Sequence, residues 1–409
     1  MRISALLLSA AAVSAPALAQ QLPAPPSAVQ VQNNGDPADT MAQGVGDYPK
    51  ISFNTIASVE LTGMSPRSGP GRGPTLYPRF DSTLLVDVND ELSVDGLFQF
   101  KARQPRPASD PNQLLFVNQG AGRRVGGKFK ELYVRYGTWR IGKFVQDFGR
   151  AYFLLPGPFA ADLIEESDQG YEPSDMIGIE KLHVFGSEKH GWQQLSVSAF
   201  FFDRTFLHES WPYNEGMVHY RNGGAANTRL PTNIMVTWDV LNMPIGRHGV
   251  QLSGQASVVR MGHTFRSQKN ELWSTLGADV AIPIHGSVAE TLAGRYSQLH
   301  LYAEAARRAN FNGIAGRARN WVSLSGEYLT GPWLFDLTAT RRWTTDRVLP
   351  TQYDHNYTAT VQRTVRAVGL VAVSIAQEKF AARQGIYAGV RITRAFATCS
   401  RCQARGKAY

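Results

Sequence analysis

From Ile51 to Phe396 the chain keeps returning to one pattern, in which apolar and polar residues alternate one for one over short stretches. In "ISFNTIASVEL", Ile51, Phe53, Thr55, Ala57, Val59 and Leu61 share one face. Ser52, Asn54, Ser58 and Glu60 share the other, with Ile56 the exception. A period of two belongs to a β-strand with one apolar face. "RFDSTLLVDV" sets Phe80, Leu84, Val86 and Val88 against Arg79, Asp81, Thr83 and Asp87. "LSVDGLFQFKAR" sets Leu92, Val94, Phe98 and Phe100 against Ser93, Asp95, Gln99, Lys101 and Arg103. No later stretch approaches about 18 uninterrupted apolar residues, so no membrane-spanning helix is expected.

Carried along the chain, the pattern predicts further strands at Lys128–Tyr136, Trp139–Phe144, Met176–Phe185, Trp192–Phe202 and Leu230–Val240. Others follow at Val250–Met261, Glu271–Ile282, Val288–Tyr296, Trp321–Leu329, Trp333–Trp343, Asn356–Val365, Val368–Glu378 and Gly385–Phe396, sixteen in all. Val288–Tyr296 could instead open a helix through "LHLYAEAARRAN". Asn89-Asp90, Gly137-Thr138, Gly186–Gly191, Pro283–Ser287 and Thr330–Pro332 read as tight turns. Gly63–Tyr77, Gln104–Gly127, Val145–Asp175, Asp203–Arg229 and Ser297–Asn320 read as long loops. Tight turns alternating with long loops mark an all-β transmembrane antiparallel barrel, with periplasmic turns at one end and external loops at the other. In lipid every backbone group must pair, so a strand-built span must close on itself. A soluble sandwich would expose the same charges outward but seldom needs this many strands. Tyr48, Trp139, Trp192, Trp333 and Trp343 lie near strand ends, where aromatic girdles belong.

The ends fix the compartment. Arg2, the run "ALLLSAAAV" and Ala17-Leu18-Ala19 form a secretory signal peptide over residues 1–19, cleaved between Ala19 and Gln20. The run is shorter than the roughly 20 residues of a spanning anchor. Residues 20–48, rich in Pro, Gln, Ala and Asn, read as a flexible periplasmic lead, 49–396 as the barrel and 397–409 as a tail. No plug-sized segment precedes Tyr48, so a plugged, energy-coupled transporter is not expected. The formal charge of +9 in an exported chain points to lipopolysaccharide phosphates or small anionic solutes rather than nucleic acid.

"RIGKFVQDFG", followed by a Pro-Gly turn and an acid-rich run, resembles the third-loop region of proteobacterial general and phosphate-selective-type porins. The last strand, "IYAGVRITRAF", with Gly389 inside it and Phe396 at its end, resembles the barrel-assembly signal of that family. There the chain usually stops at the terminal aromatic, whereas this one adds "ATCSRCQARGKAY". The resemblance implies an outer-membrane location in a Gram-negative bacterium, outer-membrane lipid and lipopolysaccharide as surroundings, and a homotrimer. It also implies that the Val145–Asp175 loop folds inward and narrows the pore. Arg150, Asp162, Glu165, Glu166, Asp168 and Glu172 are then the constriction candidates. Arg79, Lys101, Arg103, Arg135, Arg140, Arg342 and Arg391 fall on polar faces and are the pore-lining candidates. The other reading of the acidic loop is a solvated external loop whose carboxylates bind divalent cations. The apolar run "AYFLLPGPF" speaks for the inward course, being poorly placed in open water.

"GRRVGGKF" nearly fits a phosphate loop, but Phe129 stands where the magnesium-binding hydroxyl belongs and a strand follows. Cys399-Ser400-Arg401-Cys402 lacks the second ligand pair of a metal site. The histidines are scattered and no G-x-S-x-G elbow occurs. The expectation is therefore a porin passing small hydrophilic solutes by diffusion, with no enzymatic activity, no metal and no cofactor. A substrate-specific channel for a siderophore or oligosaccharide is the first alternative. A barrel hydrolase and a purely structural or adhesive barrel follow.

Overall fold

A computed structural model of the chain describes residues 48–66, 72–102, 125–145, 148–155, 159, 170–171, 173, 175–187, 190–208, 219–246, 249–264, 268–285, 297–365, 367–380 and 383–400. The signal segment with Ala19 and Gln20, most of the lead, Arg103, and the acids Asp162, Glu165, Glu166, Asp168 and Glu172 lie outside these residues.

Sixteen antiparallel strands pair in chain order, and β1 pairs with β16 to close the ring. They are β1 (Lys50–Pro66), β2 (Arg72–Asp87), β3 (Leu92–Ala102), β4 (Val125–Tyr136), β5 (Trp139–Phe144), β6 (Met176–Ser187), β7 (Gly191–Phe202) and β8 (Asn233–Ile245). The second half holds β9 (Val250–Met261), β10 (Glu271–His285), β11 (Ser297–Ala309), β12 (Ala318–Thr330), β13 (Trp333–Thr345), β14 (Gln352–Val365), β15 (Gly369–Phe380) and β16 (Arg383–Ser400). β16 continues past Phe396 and pairs Ala397–Ser400 with Asn54–Ile51. Among the described residues no helix is long and apolar enough to cross a membrane.

The two faces are inverted relative to a soluble protein. Along β13, Leu337 is 70% exposed while its neighbours Asp336 and Thr338 are 2% and 4% exposed. The same alternation runs through β8 to β12 and into β14 and β15. Apolar side chains cover the outside and polar ones fill the inside, so only a hydrocarbon solvent satisfies the outer wall. Trp139 and Trp333 open β5 and β13 at the tight-turn end, each under a cation, Lys181 at 5.1 Å and Arg363 at 4.7 Å. Such cations lay their stems on apolar surface and carry the charge to the interface. Trp192 does not join this belt, because it falls on the inward row of β7 with Gln194, Ser196 and Ser198.

The eleventh strand departs from expectation. Val288–Tyr296 lies outside the described residues, and β11 is Ser297–Ala309, the stretch that could have read as a helix. Ala, Glu and Arg favour helix, but ladders to β10 on one side and β12 on the other override that preference. The β10–β11 connection is therefore 286–296, and only 310–317 separates β11 from β12. Gly63–Tyr77 is not a loop throughout either. Despite Pro66, Pro74 and Pro78, β1 and β2 run on as far as 66 and 72, held by the long neighbour β16 and a bulge between Thr62 and Met64.

Placing a charge on the outer wall tests the inversion. Leu337→Arg, near the middle of β13, is expected to cost about 2–4 kcal/mol in reversible urea unfolding from phospholipid vesicles. Thr83→Arg, on an exposed inward position of β2, is expected to cost less than about 1 kcal/mol.

Candidate functional site

The inward face of the barrel is polar but electrically paired. Arg79 meets Asp81 at 2.7 Å, Arg342 meets Asp354 at 2.8 Å and Arg391 meets Glu60 at 2.8 Å. Arg135 lies 3.9 Å from Asp95, and Arg140 is ion-paired with Glu180. Register brings three of these pairs together: Arg140 is directly opposite Glu180, Arg342 opposite Asp354, and Arg391 opposite Glu60, whereas Arg79 and Asp81 are neighbours on one face of β2 and Arg135 reaches Asp95 diagonally. Cross-strand pairs of opposite charge stabilise a sheet. The lining thus presents alternating local dipoles rather than a field of one sign.

The β5–β6 connection turns into this interior. Its first part contains a short helix, α1 (Ala151–Leu154). Phe148, Ala151, Leu154, Leu155 and later Tyr171 pack on Met235, Val259, Met261, Trp273, Tyr302, Ala306 and Trp321 of β8 to β12. Those strands gather apolar inward residues there, which is why Ala151, Leu154 and Leu155 settle on them. Polar contacts fix the docking. Arg150 Nη1 lies 2.5 Å from Asp279 Oδ1 on β10, and its backbone amide donates to Glu304 Oε2 of β11 at 2.6 Å. The Tyr171 and Tyr302 hydroxyls donate to Glu304 as well, at 2.5 and 2.6 Å. Burial, and then Glu304 beside it, push the Tyr171 phenol well above its usual range. Arg308, itself paired with Glu271, donates to the Gly170 carbonyl at 2.7 Å. Further along, the Phe159 carbonyl accepts from Asn356 of β14 at 2.6 Å, and its ring lies 5.8 Å from that of Tyr387 on β16. One connection therefore touches the wall at β10–β11 and at β14–β16.

What stays accessible follows from this. Inward polar side chains of β7 to β15 are mostly buried, with Arg342 at 1%. Arg79, Arg135 and Arg391 keep 37%, 29% and 30% of their side chains exposed. The open side of the interior is thus the wall of β1 to β4 and β16. Lys101 stands opposite Arg79 in the ladder, which adds it to that wall by register.

A second feature sits where β5 stops short. β5 has 6 residues and pairs with β4 only from Leu132 to Tyr136. The upper part of β4 therefore lacks a neighbour on that side, and side chains fill the notch. Lys128 Nζ meets Asp175 at 2.7 Å, and Lys143 Nζ meets Asp175 at 3.1 Å and Asp203 at 2.8 Å. His208, in a 3-10 turn at Phe206–His208, lies 3.5 Å from Asp175, and Leu207 offers its carbonyl to Lys143 at 3.0 Å. All five ionisable groups are buried. Burial pushes the Asp175 carboxyl up, but Lys128, Lys143 and His208 outweigh it and hold the carboxyl well below the usual range.

Several of these groups escaped the sequence reading. Glu271 and Asp279 share the inward row of β10 with Trp273 and Thr275, a legible signal in "ELWSTLGAD". Tyr302, Glu304 and Arg308 were hidden because β11 was sought one segment earlier. Lys128 and Glu131 both face the interior only because a bulge opposite Leu97 and Phe98 shifts the register of β4. Among the described residues no group of three His, Cys, Asp or Glu side chains is placed to hold a metal ion.

No protein-family model matches the chain, and no characterised protein matches it in sequence. Solved structures do. The outer-membrane channel DcaP of Acinetobacter baumannii superposes with a TM-score of 0.55 at 11% identity, over 86% of this chain and 99% of that one. The fold is that of an outer-membrane channel. OprB of Pseudomonas putida superposes with a TM-score of 0.52 at 9% identity, over 85% of this chain and 94% of that one. At such identities the likeness is one of fold, and what this barrel does is a question for its own residues.

The notch gives a pH-dependent prediction. Asp175→Asn leaves Lys128 and Lys143 facing one carboxylate fewer, and is expected to destabilise the barrel by about 3–5 kcal/mol at neutral pH. Because the folded pKa of Asp175 is depressed, its contribution is fully present above its unfolded value of about 3.9 and is lost as pH falls through the folded value. The difference in thermal midpoint between wild type and Asp175→Asn should shrink as pH falls below about 3.9.

Proposed function

We propose that the chain is an outer-membrane porin of a Gram-negative bacterium, exported by its signal peptide, that lets small hydrophilic solutes diffuse through the barrel. The observation that carries this reading is the course of the β5–β6 connection. It crosses from β5 to β10–β11 and on to β14–β16, leaving the passage to the arginine-bearing wall. A closed barrel without such an insertion would leave a wide, unnarrowed opening, and one filled on every side would conduct nothing. The acidic stretch Asp162–Glu172 belongs to the same connection, and its carboxylates are the proposed counterpart of Arg79, Lys101, Arg103, Arg135 and Arg140 across the narrowing. A homotrimer is part of this reading, to be measured as cross-linked mass in native membranes.

Single-channel recording in planar bilayers tests it. The wild-type protein should open stable conductance steps, and deletion of Phe159–Ser167 should raise the step size clearly while the barrel still assembles. An unchanged step would mean that the connection does not narrow the passage.

Selectivity should be weak. The paired arginines present little net field, and charges further apart than a Debye length of roughly 8 Å are screened. A modest anion preference at low salt, fading as salt rises, is expected from the exposed Arg79 and from Arg103 nearer the outer end. Reversal potentials should change sign in the double variant Arg79→Glu, Arg103→Glu. A wild-type pore that already prefers cations would show that the acidic stretch dominates.

A further inference from the structure

The outer wall of β12 to β16 combines two features that nothing inside the barrel explains. The first is a row of two cations and a histidine on the lipid side. Arg341 pairs across the ladder with His355, and His355 with Lys379. All three stand on outward positions, alternating with the buried Arg342, Asp354 and Asn356 on β13 and β14. They lie near the ends of β13, β14 and β15 that face the same side as the long β3–β4, β5–β6 and β7–β8 connections. Tyr357 organises them: its hydroxyl accepts from Arg341 Nε at 2.8 Å, and its ring stacks on His355 with centroids 4.8 Å apart. His355 Nε2 is enclosed and has no hydrogen-bond partner among the described residues. No acid of these strands shares the face. Glu327, Asp336 and Asp354 are buried inward, and Glu378 falls on the inward row of Ser374 and Ala376.

The second feature is a groove of about 530 Å³ on the same wall, directly toward the barrel middle. Gly326, Ala339 and Ala359 leave it shallow-floored, and Leu324, Leu337 and Ile375 stand along it. Tyr357 belongs to both the groove and the cation row. Leu337 is four positions along β13 from Arg341, about 13 Å. That is the separation between a lipid headgroup and the first several carbons of its chains.

We propose that this wall binds one anionic, multiply acylated lipid of the outer leaflet, of the lipid A type. Its phosphate rests on Arg341, His355 and Lys379 and an acyl chain lies in the groove. A planar guanidinium and an ammonium spaced along one row suit phosphate oxygens. Two cations flanking a histidine, without a single acid, select an occupant with net negative charge, which a zwitterionic phospholipid lacks. The inference rests on the outer-membrane reading above, and adds to it a fixed lipid partner for one sector of the wall.

The test uses the full barrel purified in detergent and native mass spectrometry, with lipid A, dephosphorylated lipid A and phosphatidylethanolamine as probes. Wild type should retain one lipid A and bind the dephosphorylated form and phosphatidylethanolamine at least about tenfold more weakly. Arg341→Gln with Lys379→Gln should lose about tenfold in lipid A affinity, and Ala359→Phe, which fills the groove, should lose a similar factor. Heat-modifiable migration on gels reports that each variant is folded. If Ala359→Phe does not fold, the double glutamine variant decides alone. Equal lipid A binding by that variant, or phosphatidylethanolamine bound as tightly as lipid A, overturns the proposal. So does efficient cross-linking of two copies through Ala359→Cys in native membranes, which would make the groove an interface between subunits. Conductance separates this from the porin reading. A wild type that conducts while the variants bind lipid A normally sinks the lipid site alone, and a non-conducting wild type with the full lipid phenotype sinks the porin alone.

Discussion

Everything in this molecule depends on the pairing of β1 with β16. Strands in hydrocarbon have no water to satisfy an open edge, so an unclosed sheet of this length would leave a whole row of amides and carbonyls bare. The register from Ile51↔Ser400 to Pro66↔Gly385 removes that row. Once the ring is closed, each strand has one face in lipid and one face inside, and alternation is no longer a preference but a requirement. Polar residues that a soluble protein would send outward are sent inward, where they must find each other. The ion pairs of the lumen follow from closure, because register fixes which charge stands opposite which.

That dependence explains what could be read from the sequence. β8 and β10 announce themselves, since "NIMVTWDV" and "ELWSTLGADV" keep a period of two, interrupted chiefly by the inward Met235 and Trp273. β11 does not, because its outward positions from Ala303 to Ala309 are mostly alanine and carry little contrast with the inward Glu304 and Ala306. The ends of β1 and β2 were obscured by Gly63, Pro66 and Pro74, residues that break an isolated strand but survive where a neighbour supplies the pairing. Local pattern gives the face of a residue. It does not give the length to which a neighbour will extend a strand.

The functional residues divide along the same line. That Arg140, Arg342 and Arg391 face inward was legible from periodicity. That Glu180, Asp354 and Glu60 neutralise them was not, because partners separated by dozens or hundreds of positions meet only through register. Likewise "AYFLL" signalled that its loop avoids water, while the surface it would choose depended on Met235, Val259, Met261 and Trp273 being gathered on one inner patch by three separate strands. A long-range juxtaposition of this kind has no signature in any short window.

The short β5 has a consequence of another kind. Elsewhere the wall itself is a continuous backbone hydrogen-bond ladder. In the notch beside β4 the wall is built from Lys128, Lys143, Asp175, Asp203 and His208, whose identities matter one by one. The notch therefore couples two connections, those beginning after β5 and β7, through side chains rather than backbone. A change that removes Asp175 or Asp203 from one of these connections leaves Lys143 short of a partner that the other must make good, so the rim of the barrel would drift through paired replacements rather than single ones.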